Sequence, residues 1–526
     1  MPYAMVSWPS LGLSLLHSQL RRRGITSKVY YLNLFFSSLM SPEAYQALAI
    51  GTPNNTNLLG EWTFAEALWG ADPGRDDTYL SAVLSAADRG QHSLISAELD
   101  ACRQRGLTAR AKVGTFLDRC MEAADWASIR IVGFTSVFQQ HISSLALAKR
   151  LKAAFPHLYI IFGGANCQGE MGAATLRNFQ FVDAVCCGEG DYAFPEFAEI
   201  LLAGTIPHSK GILTRRAALE SGTELPLAPS GAEGPPPIKD LDNLPFPDYG
   251  DYFEAIKNVP TSGILPIRMM FETSRGCWWG QKHHCTFCGL NAAGMSFRHK
   301  SPSRALEEIL WLLDQYGETT RRLSAADNII PFEYFGSFLP RLEGLNLDLE
   351  LFYETKANLT EAQVSQYKRS GLSQIQPGIE SMNSAVLTLM RKGISSLQNI
   401  QLLKWCAQYD VRPHWNYLFG FPGETPESYL GQPDLLSKIV HLTPPVGCGR
   451  VRFDRFSPYH NSPAEFGVTQ LTPYPAYSYI YAGLTQPEIS KLAYYFVGRF
   501  AGRSRSIPTP RRSSTWSRGG SSRRKR

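Results

Sequence analysis

Cys277, Cys285 and Cys288 stand on one short stretch as C-x7-C-x2-C, flanked by Gly276, Gly280 and Gly289. Three thiolates can hold three irons of a 4Fe-4S cluster and leave the fourth iron open to a small molecule, whereas an electron-transfer cluster normally takes four cysteines. The competing chemistry is a structural zinc site completed by His283, His284 or His299. Zinc sites usually come as two short pairs, and here one pair has a distant third partner. A second set of candidates lies earlier, where Thr135-Ser136 and Gly163-Gly164-Ala165-Asn166 follow apolar runs. Small and hydrogen-bonding residues in such positions suit a bound nucleotide, flavin or corrinoid, and by themselves do not choose among them.

The elements that must carry these residues are legible from periodicity. Residues 129–134, 158–162 and 182–187 read as buried strands, and 142–155, 170–179 and 192–202 as amphipathic helices. Strand and helix alternating at this spacing predict an α/β fold with a parallel, doubly wound, Rossmann-like sheet. Ligands of such sheets sit beyond the strand carboxyl ends, where the Gly163-Gly164 and Gly188-Glu189-Gly190 loops fall. The dinucleotide pattern G-x-G-x-x-G between strand and helix is missing from this part. Pro9 to Leu13 reads as a loop leading into a first helix, yet no apolar strand precedes it, so the sheet begins later in the chain or upstream of Met1.

Residues 226–247, rich in Pro, Gly and Asp, read as linker sequence. Strands are then expected at 268–272, 322–325, 349–354, 373–377, 414–419 and 451–456, alternating with helices as a partial (β/α)6 barrel. The resulting division is 1–235 for the first domain, 236–264 for the linker, 265–466 for the barrel, 467–502 for a partial C-terminal region and 503–526 for a disordered basic tail.

The string Gly276-Cys277-Trp278-Trp279-Gly280 through Cys285-Thr286-Phe287-Cys288-Gly289-Leu290-Asn291, placed after the first barrel strand, resembles the radical S-adenosylmethionine (SAM) enzymes. Its long first gap departs from the C-x3-C-x2-C of most of that superfamily and is similar to the RiPP maturation radical SAM protein 1 family, whose members modify ribosomally made peptides. Ala325-Ala326-Asp327-Asn328, Tyr353-Glu354-Thr355-Lys356-Ala357-Asn358, Gln376-Pro377-Gly378-Ile379-Glu380-Ser381, Met390-Arg391-Lys392-Gly393 and Gly420-Phe421-Pro422-Gly423-Glu424 extend the match, which runs to about residue 500.

The resemblance implies three cofactors: a 4Fe-4S cluster on Cys277, Cys285 and Cys288, SAM chelating its open iron, and cobalamin on the first domain. Phe287 is then expected beside the adenine, and Glu354 and Glu380 as acceptors for ribose hydroxyls or the methionine ammonium, or else as members of ordinary ion pairs at strand ends. Gly163 and Gly164 would admit the cobalamin tail, with Thr135, Ser136 and Asn166 supplying hydrogen bonds. Residues 1–240 lack Asp-x-His-x-x-Gly, so cobalt is expected without a protein histidine, and His141 reads as a helix N-terminal residue. The implied reaction is C-methylation of a precursor peptide, with an electron donor such as flavodoxin or ferredoxin as partner. The rivals are cyclisation or rearrangement without methyl transfer and, from another class, a zinc-stabilised nucleic-acid binding protein. No catalytic proton donor or acceptor stands out.

Composition narrows these readings. Of 52 basic residues in the 526-residue chain, nine lie between Arg503 and Arg526, where no acid occurs; the rest carries 43 against 46 acidic residues, a net of -3. A nearly neutral body does not point to nucleic acid. No apolar run reaches the ~18 residues that span a bilayer. Arg21, Arg22 and Arg23 follow the first apolar stretch, the reverse of a signal peptide. Ten cysteines are too sparse for a disulfide framework, so a cytoplasmic location is expected.

Overall fold

The apolar runs Ile131–Thr135 (β1), Tyr159–Gly163 (β2) and Ala184–Cys186 (β3) form parallel neighbours, with Val132 opposite Ile160 and Thr135 opposite Gly163. Helices His141–Ala154 and Glu170–Asn178 make the crossovers. Phe134 stacks on Phe162 with ring centroids 5.0 Å apart. The strand Ile212–Thr214 (β4) closes the edge antiparallel to β3. These are features of a computed structural model that describes residues 1–51, 57–83, 96–205, 207, 209–215, 236–259, 266–292 and 294–500. The basic tail, the part of the linker before residue 236 and residues 260–264 lie outside the described residues.

One expectation is corrected. The strand order β1-β2-β3-β4 follows the chain without reversal, so among the described residues the sheet is wound in one direction and has no switch point. The reason is that the apolar residues before Ile131 have helical spacing and form helices from Leu11–Arg22 to Val113–Glu122. Phe36, Phe64 and Phe116 make an aromatic core there, with Phe36 at 5.4 Å from Phe64 and 5.1 Å from Phe116. Helix Leu59–Trp69 lends its buried Glu61 to the sheet layer. Its carboxylate accepts from the backbone N–H of His141 (2.9 Å) and of Ile142 (2.8 Å), capping the crossover helix where the partial positive charge lies.

Contacts within the chain divide it into two units, Met1–Met270 with Thr472–Tyr495, and Phe271–Leu471 with the chain from Phe496 onward. The segment Thr472–Tyr495 therefore joins the first unit and does not form a region of its own. Ile480 O accepts from Trp69 Nε1 (2.8 Å), Tyr474 OH meets Asn57 Oδ1 (3.0 Å), and Glu488 accepts from Asn178 (2.6 Å).

From the boundary at residue 270 onward the strands Met269–Phe271 (β5), Ser274–Arg275 (β6), Arg298–His299 (β7), Arg322–Ala325 (β8), Glu350–Glu354 (β9), Leu372–Gln376 (β10), Arg412–Pro413 (β11), Asn416–Phe419 (β12) and Gly447–Arg450 (β13) follow in order. One sheet has the order β11-β10-β9-β8-β5, β12 pairs with β13, and β6 pairs with β7. Ser301, Thr360 and Ser395 cap the helices that return between strands, the latter two as capping boxes with Gln363 and Gln398. Two expected strands differ. The fifth breaks into β11 and β12, and the partner of β12 is Gly447–Arg450, while 451–456 holds only the short strand Phe453–Asp454, which pairs in a separate three-stranded sheet. Gly-Cys-Gly-Arg has weak strand character and is held by parallel pairing with β12, which periodicity does not reveal. Among the described residues no helix is long and apolar enough to cross a membrane.

Burial raises the Glu61 carboxyl from 4.5 to about 7, against the two backbone hydrogen bonds that favour its charge. The folded state thus holds a proton that the unfolded state has released, and stability falls as pH rises from 4.5 to 7, by roughly 3 kcal/mol in total. Glu61→Gln is expected to remove this slope when denaturation of the two proteins is compared across that range. An unchanged slope in the variant would show that Glu61 does not produce it.

Candidate active site

The cysteine loop begins at a buried carboxylate. Asp327, just after β8, accepts from Thr273 N (2.7 Å), Thr273 Oγ1 (2.5 Å) and Ser274 Oγ (2.8 Å). Burial pushes its pKa up to about 6 even though these donors favour the charge. The chain then turns at Gly276, with φ +80°, where a Cβ would lie 2.1 Å from Ser296 O. Only glycine fits, because the obstacle is backbone and the conformation is left-handed. Cys277 follows, and its Sγ accepts from Gly280 N at 3.3 Å, at the start of the short helix Gly280–His283. Thr286 N donates to Met390 O (3.1 Å), and Cys288 N to Cys285 O (3.1 Å), which fixes the second half of the loop.

These constraints bring the three predicted thiols within electrostatic reach of one another. Burial raises Cys277 and carries Cys288 up to about 12, and the charge of Cys285 adds to both. Such thiols release their protons readily only to a metal, and the donor set fits a 4Fe-4S cluster in which each thiolate takes a different iron. Among the described residues no three His, Cys, Asp or Glu side chains converge on a single ion, as a zinc tetrahedron requires. The three histidines offered to zinc have other contacts: His284 Nε2 lies 2.9 Å from Cys288 O, His299 Nδ1 3.0 Å from Lys300 O, and His283 packs on Trp279 at 4.3 Å.

Glu354 ends β9 and Glu380 follows β10, and the structure brings them together. Burial first, then the charge of Glu380, raises Glu354 to about 7. Lys392 Nζ lies 3.5 Å from Glu380 Oε1, so the ion pair expected as one alternative for Glu380 is present. Burial alone would push Lys392 down, yet Glu380 and the Cys285 and Cys288 thiolates hold it above its ordinary value. Its ammonium also lies 5.7 Å from the ring of Phe287, which meets Phe421 edge-on at 5.7 Å. Lys356 Nζ sits 3.7 Å over the Trp279 ring and donates to Lys392 O (2.9 Å) and Gly393 O (3.1 Å). Burial and Lys392 lower it to about 8. Asp327, Lys356 and Lys392 were not assigned roles from sequence. The signal was present, because each stands inside a string that carried the resemblance, but a lone Lys or Asp does not disclose which carboxylate or loop it faces.

In the first unit Thr135, Ser136, Gly163, Gly164 and Asn166 also come together, largely by binding each other. Ser136 N donates to Gly163 O (2.8 Å), Asn166 N to Ser136 O (3.0 Å), and Asn166 Nδ2 to Ser136 Oγ (3.0 Å) and Val137 O (2.6 Å). Gly164, with φ +94°, leaves room that the Ser136 backbone fills, at 2.6 Å from where a Cβ would lie. The Gly-Gly turn is thus required by the loop itself. His141 is the first residue of its helix, as expected. Its Nδ1 is 2.6 Å from Tyr481 OH and its Nε2 3.2 Å from Thr175 Oγ1, and burial lowers it to about 3.

Residues 271–430 match the model of the Radical SAM superfamily. Residues 271–430 are accordingly a radical SAM domain, which implies a 4Fe-4S cluster and SAM. The chain is 26% identical over 305 residues to an uncharacterized methyltransferase of Pyrococcus horikoshii, covering 56% of this chain and 61% of the relative. It is 23% identical over 289 residues to the anaerobic magnesium-protoporphyrin IX monomethyl ester cyclase of a Synechocystis strain, covering 53% and 54%. It is 24% identical over 207 residues to the bacteriochlorophyllide d C-12(1)-methyltransferase of Chlorobaculum tepidum, covering 38% and 43%. The chain thus spans about half the length of these relatives. In fold it is similar to the cobalamin-dependent SAM radical enzyme OxsB with aqua-cobalamin bound, at TM-score 0.55 and 15% identity over 74% of this chain and 59% of that one. It is similar also to the radical SAM methyltransferase TsrM from Kitasatospora setae with cobalamin and a 4Fe-4S cluster bound, at 0.52 and 16% over 73% and 79%.

Replacing Cys277, Cys285 and Cys288 by Ala is expected to abolish iron, sulfide and brown colour in anaerobically purified protein. Gly276→Ala should lower iron content while leaving all three thiols in place, because the turn that delivers Cys277 cannot form. Stoichiometric zinc without sulfide in the parent protein would contradict the cluster.

Proposed function

We propose that this chain is a cobalamin-dependent radical SAM C-methyltransferase whose substrate is a ribosomally synthesised peptide. The observation that carries the reading is the joining, in one chain, of a three-thiol radical SAM loop to a parallel-sheet unit with a hydrogen-bonded Gly-Gly loop at its strand ends. Two of the relatives are named as methyltransferases, and both solved neighbours were determined with cobalamin. The peptide rests on the motif resemblance alone.

The bound cofactors supply the hard chemistry, a low-potential electron that cleaves SAM and a methyl group carried by cobalt. What the chain contributes is placement. Cys277, Cys285 and Cys288 would hold the cluster, and Glu354 and Glu380 offer carboxylate oxygens to the ribose hydroxyls or ammonium of SAM. Lys392 lies 3.5 Å from Glu380 and carries a buried positive charge suited to the methionine carboxylate. Phe287 gives the adenine an apolar wall. On the first unit Thr135, Ser136, Gly163, Gly164 and Asn166 form the loop proposed for cobalamin. Cobalt is proposed to have no protein histidine, since both ring nitrogens of His141 already face hydroxyls.

A second reading, cyclisation without methyl transfer, draws on the likeness to the protoporphyrin ester cyclase. Methyl-labelled SAM separates the two. Methyl transfer should consume two SAM per turnover, yielding one 5'-deoxyadenosine, one S-adenosylhomocysteine and label on a peptide carbon. 5'-Deoxyadenosine formed with peptide present, but without S-adenosylhomocysteine or transferred label, would establish the cyclisation reading instead.

A further inference from the structure

Glu380 is held in a backbone conformation that a glutamate rarely adopts. Its φ is +58°, in the left-handed region, shortly after Gly378 at +60°. Ser381 N donates to Ile379 O at 2.7 Å, so the chain closes a γ-turn of the rare, strained hand with Glu380 at its apex. A residue other than glycine persists in such a conformation only when its surroundings over-determine it, and strain of this kind gathers at functional sites. Here one side chain grips both sides of the turn. Asn399, near the start of helix Ser396–Gln408, is completely buried. Its Nδ2 donates to Ile379 O (3.1 Å) and to Ser381 O (2.8 Å), the two carbonyls that flank Glu380. Leu418 N donates to Glu380 O at 2.8 Å and ties the apex to β12.

The other end of the same amide shows what this position demands. Asn399 Oδ1 is buried and accepts no hydrogen bond from a described residue. An orphaned acceptor in the interior destabilises the fold, and a leucine would fill a similar volume without it. What the asparagine adds is therefore its pair of N–H donors, and both are spent on the Glu380 turn. Relaxation of Glu380 to negative φ would break the Ser381–Ile379 hydrogen bond and re-aim a carboxylate that lies 3.5 Å from Lys392 Nζ. We propose that Asn399 is a positioning residue, which holds the left-handed turn and so aims the Glu380 carboxylate at the ribose hydroxyls or ammonium of SAM. The inference rests on the reading of Glu380 as a SAM ligand, and adds a residue that acts only through it.

The test is equilibrium binding of SAM to the anaerobically purified, iron-loaded full chain in a double-mutant cycle of Asn399→Leu and Glu380→Ala. Asn399→Leu removes both donors at similar volume, and SAM affinity should fall about tenfold or more while iron content stays unchanged. In the Glu380→Ala background the same substitution should cost little further affinity, because no carboxylate remains to be aimed. Should Asn399→Leu lose iron, Asn399→Asp takes its place in the cycle, since it keeps the shape and can donate at most one hydrogen bond. Equal losses with and without the Glu380 carboxylate overturn the proposal, because the asparagine would then act on the fold at large. So does an Asn399→Leu protein that binds SAM like the parent while Glu380→Ala does not. Failure of the underlying reading looks different: Glu380→Ala would itself leave SAM affinity unchanged, and the proposal would fall with it.

Discussion

Three thiols close enough to raise one another's pKa resist ionising side by side, and the proposed cluster requires the second unit to hold them together. Buried near-neighbour thiolates are unstable without a positive charge close by. Iron would supply most of that charge in the proposed cluster, and the protein supplies a share through Lys392, which lies within electrostatic reach of Cys285 and Cys288. Lys392 is itself tolerable in the interior because Glu380 neutralises it, and Glu380 in turn raises Glu354. The acid pair, the buried lysine and the thiols form one balanced set, so a change at any of them reaches the others. The Lys356 ammonium over Trp279, tied to the carbonyls of Lys392 and Gly393, holds the strand of chain that carries Lys392 against the loop.

The first unit solves a different problem. Its Gly-Gly turn is rigid because Ser136 and Asn166 satisfy each other's polar groups and those of the turn. A loop organised in this way keeps its shape with or without a ligand, and binding there need not be offset by the entropy of ordering it. Glu61 has the analogous role one turn away, where a buried carboxylate sets the start of helix His141–Ala154.

How much of this was legible in the sequence differed by the kind of information involved. Strands β2, β3 and β8 are legible as continuous buried runs, and β9 and β10 by the spacing of their buried residues between helices. Strand β13 was missed because Gly447-Cys448-Gly449-Arg450 is a strand only by virtue of its neighbour Asn416–Phe419. The winding of the first sheet was misread because strand-helix spacing says nothing about strand order. At the site, the cysteines announce themselves by spacing, whereas Lys392, Lys356 and Asp327 gain meaning only from the groups they face across the fold. The histidines near the loop showed the converse. Their residue type fits zinc, and only their contacts with Trp279 and with the Cys288 and Lys300 carbonyls argue otherwise.

The return of Thr472–Tyr495 to the first unit makes that unit discontinuous in sequence. Some 200 residues of the radical SAM unit are synthesised between its two parts. During synthesis the partners of Ile480, Tyr474 and Tyr481, among them Trp69, Asn57 and His141, therefore wait until almost the whole chain has emerged. The second unit can gather its sheet from contacts close in sequence, but the first must close a loop of hundreds of residues, at an entropic cost that grows slowly with length yet delays the contact. Both units wait for the end of the chain, the first for Thr472–Tyr495 and the second for the strand Tyr495–Phe500, and a chain stopped short of Tyr481 would lack part of the wall around His141 while retaining Cys277, Cys285 and Cys288.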